Sequence, residues 1–183
     1  MIKPAQCAFL SQHWLEMLKG GSAHASFEDA IAGIPAKLRG RKPAGFPHSP
    51  WMLLEHLRIA QSDILEFSRN RKHLSPDWPK GYWPRSEAPS SIAAWNASIR
   101  KFRQGLKAMQ DLVAKPKTDL YARLPWGDSQ TILRENRRLA EHNANPVGPR
   151  GEARPWRGAG PAAENWAGRQ TRRPPGSRCC GGA

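Results

Sequence analysis

The sequence predicts an all-α fold: a four-helix bundle over residues 1–145, followed by a disordered tail over residues 146–183. Three observations carry this. Apolar residues recur at three- and four-residue steps in several separate stretches, the spacing that lines one face of a helix. No stretch alternates apolar and polar residues with the period of two expected of a half-buried strand. One long connection rich in proline and aromatic residues, residues 70–90, divides the helical units, as in bundles with a crossover.

Residues 9–20 predict a short amphipathic helix, with Phe9, Trp14, Leu15 and Leu18 apolar and Gly20-Gly21 as its stop. Ser26 opens a second segment. Asp29, three residues on, makes a weak capping box with it, because each side chain can accept from a free N–H of the first turn. Phe27, Ala30, Ile31 and Ile34 give this segment a face, and Pro35 limits it. The two segments are expected to act as one interrupted bundle helix, with His24 at the junction as a cap or surface group. A basic loop rich in Pro and Gly, residues 36–48, follows.

The strongest helix spans residues 49–69. Ser49 is a good N-cap, and Pro50 stands at the first helical position, where its missing N–H costs nothing. Leu53, Leu57, Ala60 and Ile64 form its apolar stripe, widened by Leu54, Ile59 and Phe67. Then comes the connection, with Trp78, Tyr82 and Trp83 between prolines. Such aromatics either pack over the end of the domain or form a lid over a site.

Ser90 or Ser91 starts the next helix, which runs to about Val113 on the three- and four-residue spacing of Trp95, Ile99, Phe102, Leu106, Met109 and Val113. Arg100, Lys101, Arg103 and Lys107 fall outside that stripe. After a loop with Pro116 and Pro125-Trp126-Gly127, Asp128 or Ser129 is expected to cap a last helix carrying Ile132, Leu133, Leu139 and Ala140.

Composition narrows the function. The net charge of +14 invites a nucleic-acid reading. Its distribution argues against a specific one: the basic groups of residues 1–145 lie beside acidic ones, as on solvated helix faces, with no basic stripe interleaved with aromatics. Arginines in the tail, without a folded motif, offer only salt-sensitive nonspecific affinity. No apolar run has the length of a membrane span, and the first ten residues have too short an apolar segment for a secretion signal. Cys7, Cys179 and Cys180 make no CxxC pair and no disulfide framework, which fits a reducing, cytoplasmic setting. Neither a Gly-x-Ser-x-Gly elbow nor a cysteine-centred motif is present, so no serine or cysteine hydrolase is expected. The tail contains no Leu, Ile, Met, Phe, Tyr or Lys, and Gly, Pro, Arg and Ala fill most of it, so it has little with which to build a core.

Two histidines matter most. His56 borders the stripe of the strongest helix, one turn before Ala60, and His142 lies two turns after Glu135 in the last helix. An imidazole in such a place needs a partner, because an unpaired buried polar group costs a few kcal/mol. The partner is either a hydrogen-bonding neighbour or a metal ion, and in a bundle these two histidines can meet across the core.

The run His-Ser-Pro-Trp-Met-Leu-Leu-Glu-His-Leu-Arg-Ile-Ala-Gln (48–61) resembles the second helix of the DinB-like family. So does the segment from Gly20 to Ala30. Trp-Pro-Lys-Gly-Tyr-Trp-Pro, Pro-Trp-Gly-Asp (125–128) and Ala-Glu-His-Asn-Ala (140–144) are similar to one bacterial branch of it. The resemblance covers residues 10–145. It implies a four-helix bundle, usually a homodimer. It also implies a divalent metal (Zn, Ni, Mn or Fe) held by one histidine of the second helix and an His-x-x-x-His pair of the last. Some members are metal-dependent transferases that use low-molecular-weight thiols.

Carried over by position, the implied ligands are His56 and His142. The third falls at position 146, which is Pro146: it offers no donor atom and disfavours helical geometry at Asn145. A third ligand would then come from water, Glu141, Asn143, Gln61 or Asp63, and binding is expected to be weak or absent. Arg137 and Arg138 stand where the family prefers apolar residues. The resemblance singles out no catalytic residue. The other reading is a noncatalytic bundle that serves dimerisation or partner binding.

Overall fold

A computed structural model describes residues 4–20 and 26–144. His24 and the tail over residues 146–183 lie outside them. The described residues are all-α, with α1 (Pro4–Lys19), α2 (Phe27–Ile31), α3 (Pro50–Arg69), α4 (Ile92–Ala114) and α5 (Ile132–Ala144). Among them no strand occurs beyond one isolated bridge, Arg123 with Thr131.

Local chemistry sets the helix ends. α1 starts before the predicted Phe9 and stops at Gly20, whose φ of 68° is left-handed and favours glycine. The capping box of α2 is complete: Asp29 N–H donates to Ser26 Oγ and Ser26 N–H donates to Asp29 Oδ2, each at 3.1 Å. Ser49 accepts from Met52 N–H ahead of Pro50, and Ser91 accepts from Ala94 N–H. The cap of α5 is neither Asp128 nor Ser129. Thr131 Oγ1 accepts from Arg134 N–H at 3.1 Å, while Ser129 Oγ accepts from the Arg134 guanidinium.

The pairing of α3 with α4 governs the topology. Ser49 Oγ donates to the carbonyl of Glu87, Ser98 Oγ contacts the Glu55 carboxylate, and Gln61 Nε2 donates to the carbonyl of Phe102. Partner numbers rise together, so the two helices run parallel. α3 is 20 residues long, about 30 Å, and the chain must return along it before α4 can begin. The 70–91 connection does this and is therefore held against α3: Trp51 Nε1 donates to Ser86, and Tyr82 donates to Asp63.

Two apolar clusters stack along this pair. Near the start of both helices, Ile34, Trp51, Leu54, Trp95 and Ile99 pack together, with Phe27 and Ile31 against them. Near their ends, Leu18, Ile64, Leu65, Met109, Val113, Leu120, Leu139 and Ala140 form the other. α2 thus serves one cluster and α1 the other. Phe27 also stacks on Phe102, with ring centroids 3.9 Å apart.

The face of α3 differs from its apolar stripe. Leu53, Ile59 and Phe67 are half-buried, whereas Trp51, Leu54, Leu57, Ala60, Gln61, Ile64, Leu65 and Ser68 are buried. A glutamine holds the middle of this face because it has partners on both sides: the Phe102 carbonyl at 2.6 Å and the Asn143 amide at 3.3 Å. Arg137 and Arg138 are exposed on α5, and Arg137 pairs with Glu141 at 3.4 Å.

Gly105 makes room for that glutamine. A Cβ there would lie 2.7 Å from Gln61 Nε2. Gly105→Ala should therefore destabilise the fold, although alanine is favoured over glycine by about 1 kcal/mol in a helix interior. In a Gln61→Ala background the same change should become neutral or stabilising. Urea midpoints of the four chains check this; a stabilising Gly105→Ala in the native background would contradict the packing described.

Candidate metal centre

α3 and α5 run antiparallel: the end of α3 meets the approach to α5, where Trp126 Nε1 donates to the Phe67 carbonyl, and His56 near its start meets His142 near the end of α5. Their Nε2 atoms are 3.1 Å apart. Asp63 stands seven residues after His56 and Glu135 seven residues before His142, and the charge of Asp63 adds to what raises the Glu135 carboxyl. Glu135 is 2 % exposed, its Oε1 has no partner among the described residues, and burial pushes its carboxyl up against the pull of Arg138 and Arg134.

The returning connection completes the surroundings of His56. Its Nδ1 lies 2.9 Å from the carbonyl of Tyr82. A carbonyl only accepts, so the proton of the neutral ring is on Nδ1 and the lone pair of Nε2 faces His142. A backbone carbonyl holding the other ring nitrogen in this way commonly orients a metal-binding histidine. Trp83 lies flat on His56, with centroids 4.1 Å apart and planes 4° from parallel, and His48 also stacks on Trp83, at 4.0 Å.

The imidazole pair has two chemical solutions. In the first, His142 Nε2–H donates to His56 Nε2, which leaves His142 Nδ1 without its proton. That atom is buried and has no hydrogen-bond partner among the described residues. In the second, both Nε2 lone pairs face one cation. Two nitrogens at about 2.0–2.1 Å from a tetrahedral ion are about 3.3–3.4 Å apart, close to the separation found here. His142 is pushed down to about 4, first by burial and then by His56, so its ring is neutral at pH 7, the form a metal needs.

The pair therefore fits a metal as two donors of an open site. The candidate third ligands do not join it. Asp63 is occupied, accepting from the Tyr82 hydroxyl at 2.6 Å and from His73 Nε2 at 2.8 Å. Gln61 and Asn143 are bonded to each other, and Glu141 is exposed beside Arg137. Among the described residues no group of three or more His, Cys, Asp or Glu side chains is placed to hold an ion.

Sequence reasoning missed the parts supplied by the connection: the Tyr82 carbonyl, the Trp83 stack and the bonds to Asp63. Trp78, the first aromatic of that loop, is 79 % exposed, whereas Tyr82 and Trp83 are half-buried on α3. The loop lies along α3, with Trp83 stacked on His56. No known protein family, curated protein or solved structure matches this chain.

The state of His142 has a consequence for stability. The folded protein resists protonating this ring until about pH 4, whereas the unfolded chain takes the proton near 6.5. The unfolded state binds more protons between those values, so stability is fully present above pH 6.5 and falls as pH drops toward 4. The effect is on the order of 3 kcal/mol, at about 1.4 kcal/mol per pH unit. Urea midpoints from pH 7.5 to 4.5 should fall more steeply for the native chain than for His142→Asn. Equal slopes would mean that this ring is not held neutral by its site.

Proposed function

We propose that this chain is a DinB-like helical bundle that binds one divalent cation weakly between His56 and His142. The observation that carries the reading is the pair of Nε2 atoms 3.1 Å apart, one of them on a ring whose other nitrogen donates to a backbone carbonyl. The resemblance of residues 48–61 to the second helix of that family adds to it. Zn, Ni, Mn and Fe are the candidate ions. When bound, such an ion lowers the pKa of a coordinated thiol and makes the thiolate available as a nucleophile. A transferase using a low-molecular-weight thiol is the reaction class this reading points to.

The chain's own residues supply the rest. His56 and His142 are the donors. Tyr82 fixes the tautomer of one, and burial keeps the other neutral. Trp83 shields the face of His56 from water. Pro146 in place of a third imidazole leaves two protein donors, which is why the affinity is low and the activity impaired.

A second reading is a noncatalytic bundle that pairs with a second copy. Phe9 and Met17 favour it: they are 69 % and 50 % exposed and, with His13, recur every four residues along one face of α1.

A restoration experiment separates the two. Replacing residues 145–183 with a helical continuation carrying His at 146 should bring metal content from well below one ion per chain to stoichiometric, by elemental analysis of the purified protein. His56→Ala or His142→Ala in the restored chain should abolish it. A restored chain that stays metal-free and sediments as a dimer would replace the first reading with the second. Tight binding by the unaltered chain would contradict the proposed loss.

A further inference from the structure

We propose that Asp63 positions His56 from two helical turns away, acting through Tyr82, and so decides which nitrogen of His56 is offered to His142 and to an ion. The link to an ion rests on the metal reading above; the control of the tautomer is a property of the chain alone.

His56 and Asp63 lie on one face of α3, seven residues and about 10 Å apart along the axis. One residue of the returning connection touches both. The Tyr82 carbonyl accepts from His56 Nδ1 at 2.9 Å, and its hydroxyl donates to Asp63 Oδ2 at 2.6 Å. The second bond fixes the direction of the first. The carbonyl closes a single 3-10 turn, Lys80–Tyr82, within the connection, and the Tyr82 side chain anchors it to the helix.

Asp63 is built for this role rather than for ligation. Each of its oxygens has a partner from the connection: Tyr82 on one, and His73 Nε2 on the other at 2.8 Å. The side chains of His73 and Asp63 are only 18 % and 12 % exposed, so these bonds work in a setting where little water competes. Hydrogen bonds to a carboxylate are among the stronger ones in proteins. Two points of the loop, nine residues apart, are thereby tied to one carboxylate, and the Trp83 ring follows Tyr82 onto the face of His56.

Without Asp63 the Tyr82 hydroxyl keeps only its interaction with Ser75, which lies in the same loop and does not tie it to α3, and the carbonyl loses its fixed direction. His56 then shares its proton between both nitrogens, and a ring protonated on Nε2 cannot bind an ion there. Asn at 63 keeps a carbonyl oxygen for the hydroxyl, so it should substitute for Asp, whereas Ala should not.

The test uses the full chain labelled with nitrogen-15 in histidine and freed of metal with EDTA. Nitrogen chemical shifts report the tautomer of His56. The native chain and Asp63→Asn should show one form, with the proton on Nδ1. Asp63→Ala and Tyr82→Phe should show a mixture. If Asp63→Ala loses its helical circular dichroism, Tyr82→Phe, which removes a single oxygen atom, decides the matter. A folded Tyr82→Phe chain whose His56 keeps its proton on Nδ1 would overturn the proposal.

Zinc competition against a chromophoric chelator adds the second arm: zinc should bind about 10–100-fold more weakly to Tyr82→Phe than to the native chain. A tautomer change with no zinc uptake by the native chain would uphold the positioning role and defeat the metal reading. A tautomer change with equal zinc affinities would limit the role of Asp63 to the free protein and overturn the part that concerns the ion.

Discussion

Parallel packing of α3 against α4 is the constraint on which the rest depends. Two consecutive parallel helices cannot be joined by a short turn, so the chain must travel back over the length of α3. A segment of that length held against a helix needs fixed attachments, because ordering each residue costs about 1–2 kcal/mol of backbone entropy. The attachments include hydrogen bonds, from Trp51 to Ser86, Ser49 to the Glu87 carbonyl, Asp63 to Tyr82 and His73, and His56 to the Tyr82 carbonyl, beside the stack of Trp83 on His56. The same bonds that hold the connection therefore orient the histidine of α3.

The middle of the domain obeys a similar logic. Gln61 is 1 % exposed and bridges α4 and α5, from the Phe102 carbonyl to the Asn143 amide. A buried amide is tolerable only when bonded, since an unpaired one costs a few kcal/mol. Gly105 gives it the space. Asn143 follows His142 directly, so the bridge also helps to place the segment of α5 that carries the second imidazole.

Much of the helical framework was legible in the sequence because it is written in local terms. The caps at Ser26, Ser49 and Ser91 and the apolar stripe of α4 involve residues no more than four positions apart. What the sequence hid depends on partners far along the chain. The His56–Tyr82 bond spans 26 residues, Tyr82–Asp63 spans 19 and Gln61–Phe102 spans 41. Gln61 and Asp63 read only as candidate third ligands, because neither residue type announces who will bond it. Asp128 and Ser129 were expected to cap α5 on side-chain type alone; the bridge of Thr131 with Arg123, which holds Thr131 at the helix start, spans eight residues and was not visible in that pattern.

The central claim is that the two imidazoles act as a pair on one cation, and a double-mutant cycle in zinc affinity tests it most directly. Native chain, His56→Ala, His142→Ala and the double variant would be titrated against a competing chelator at pH 7.5. If both rings hold the same ion, each single change should remove most of the affinity and the double change should add little more, a coupling well beyond the 0.3–0.5 kcal/mol scatter of independent sites. Additive losses, or affinities that none of the three variants changes, would contradict the account.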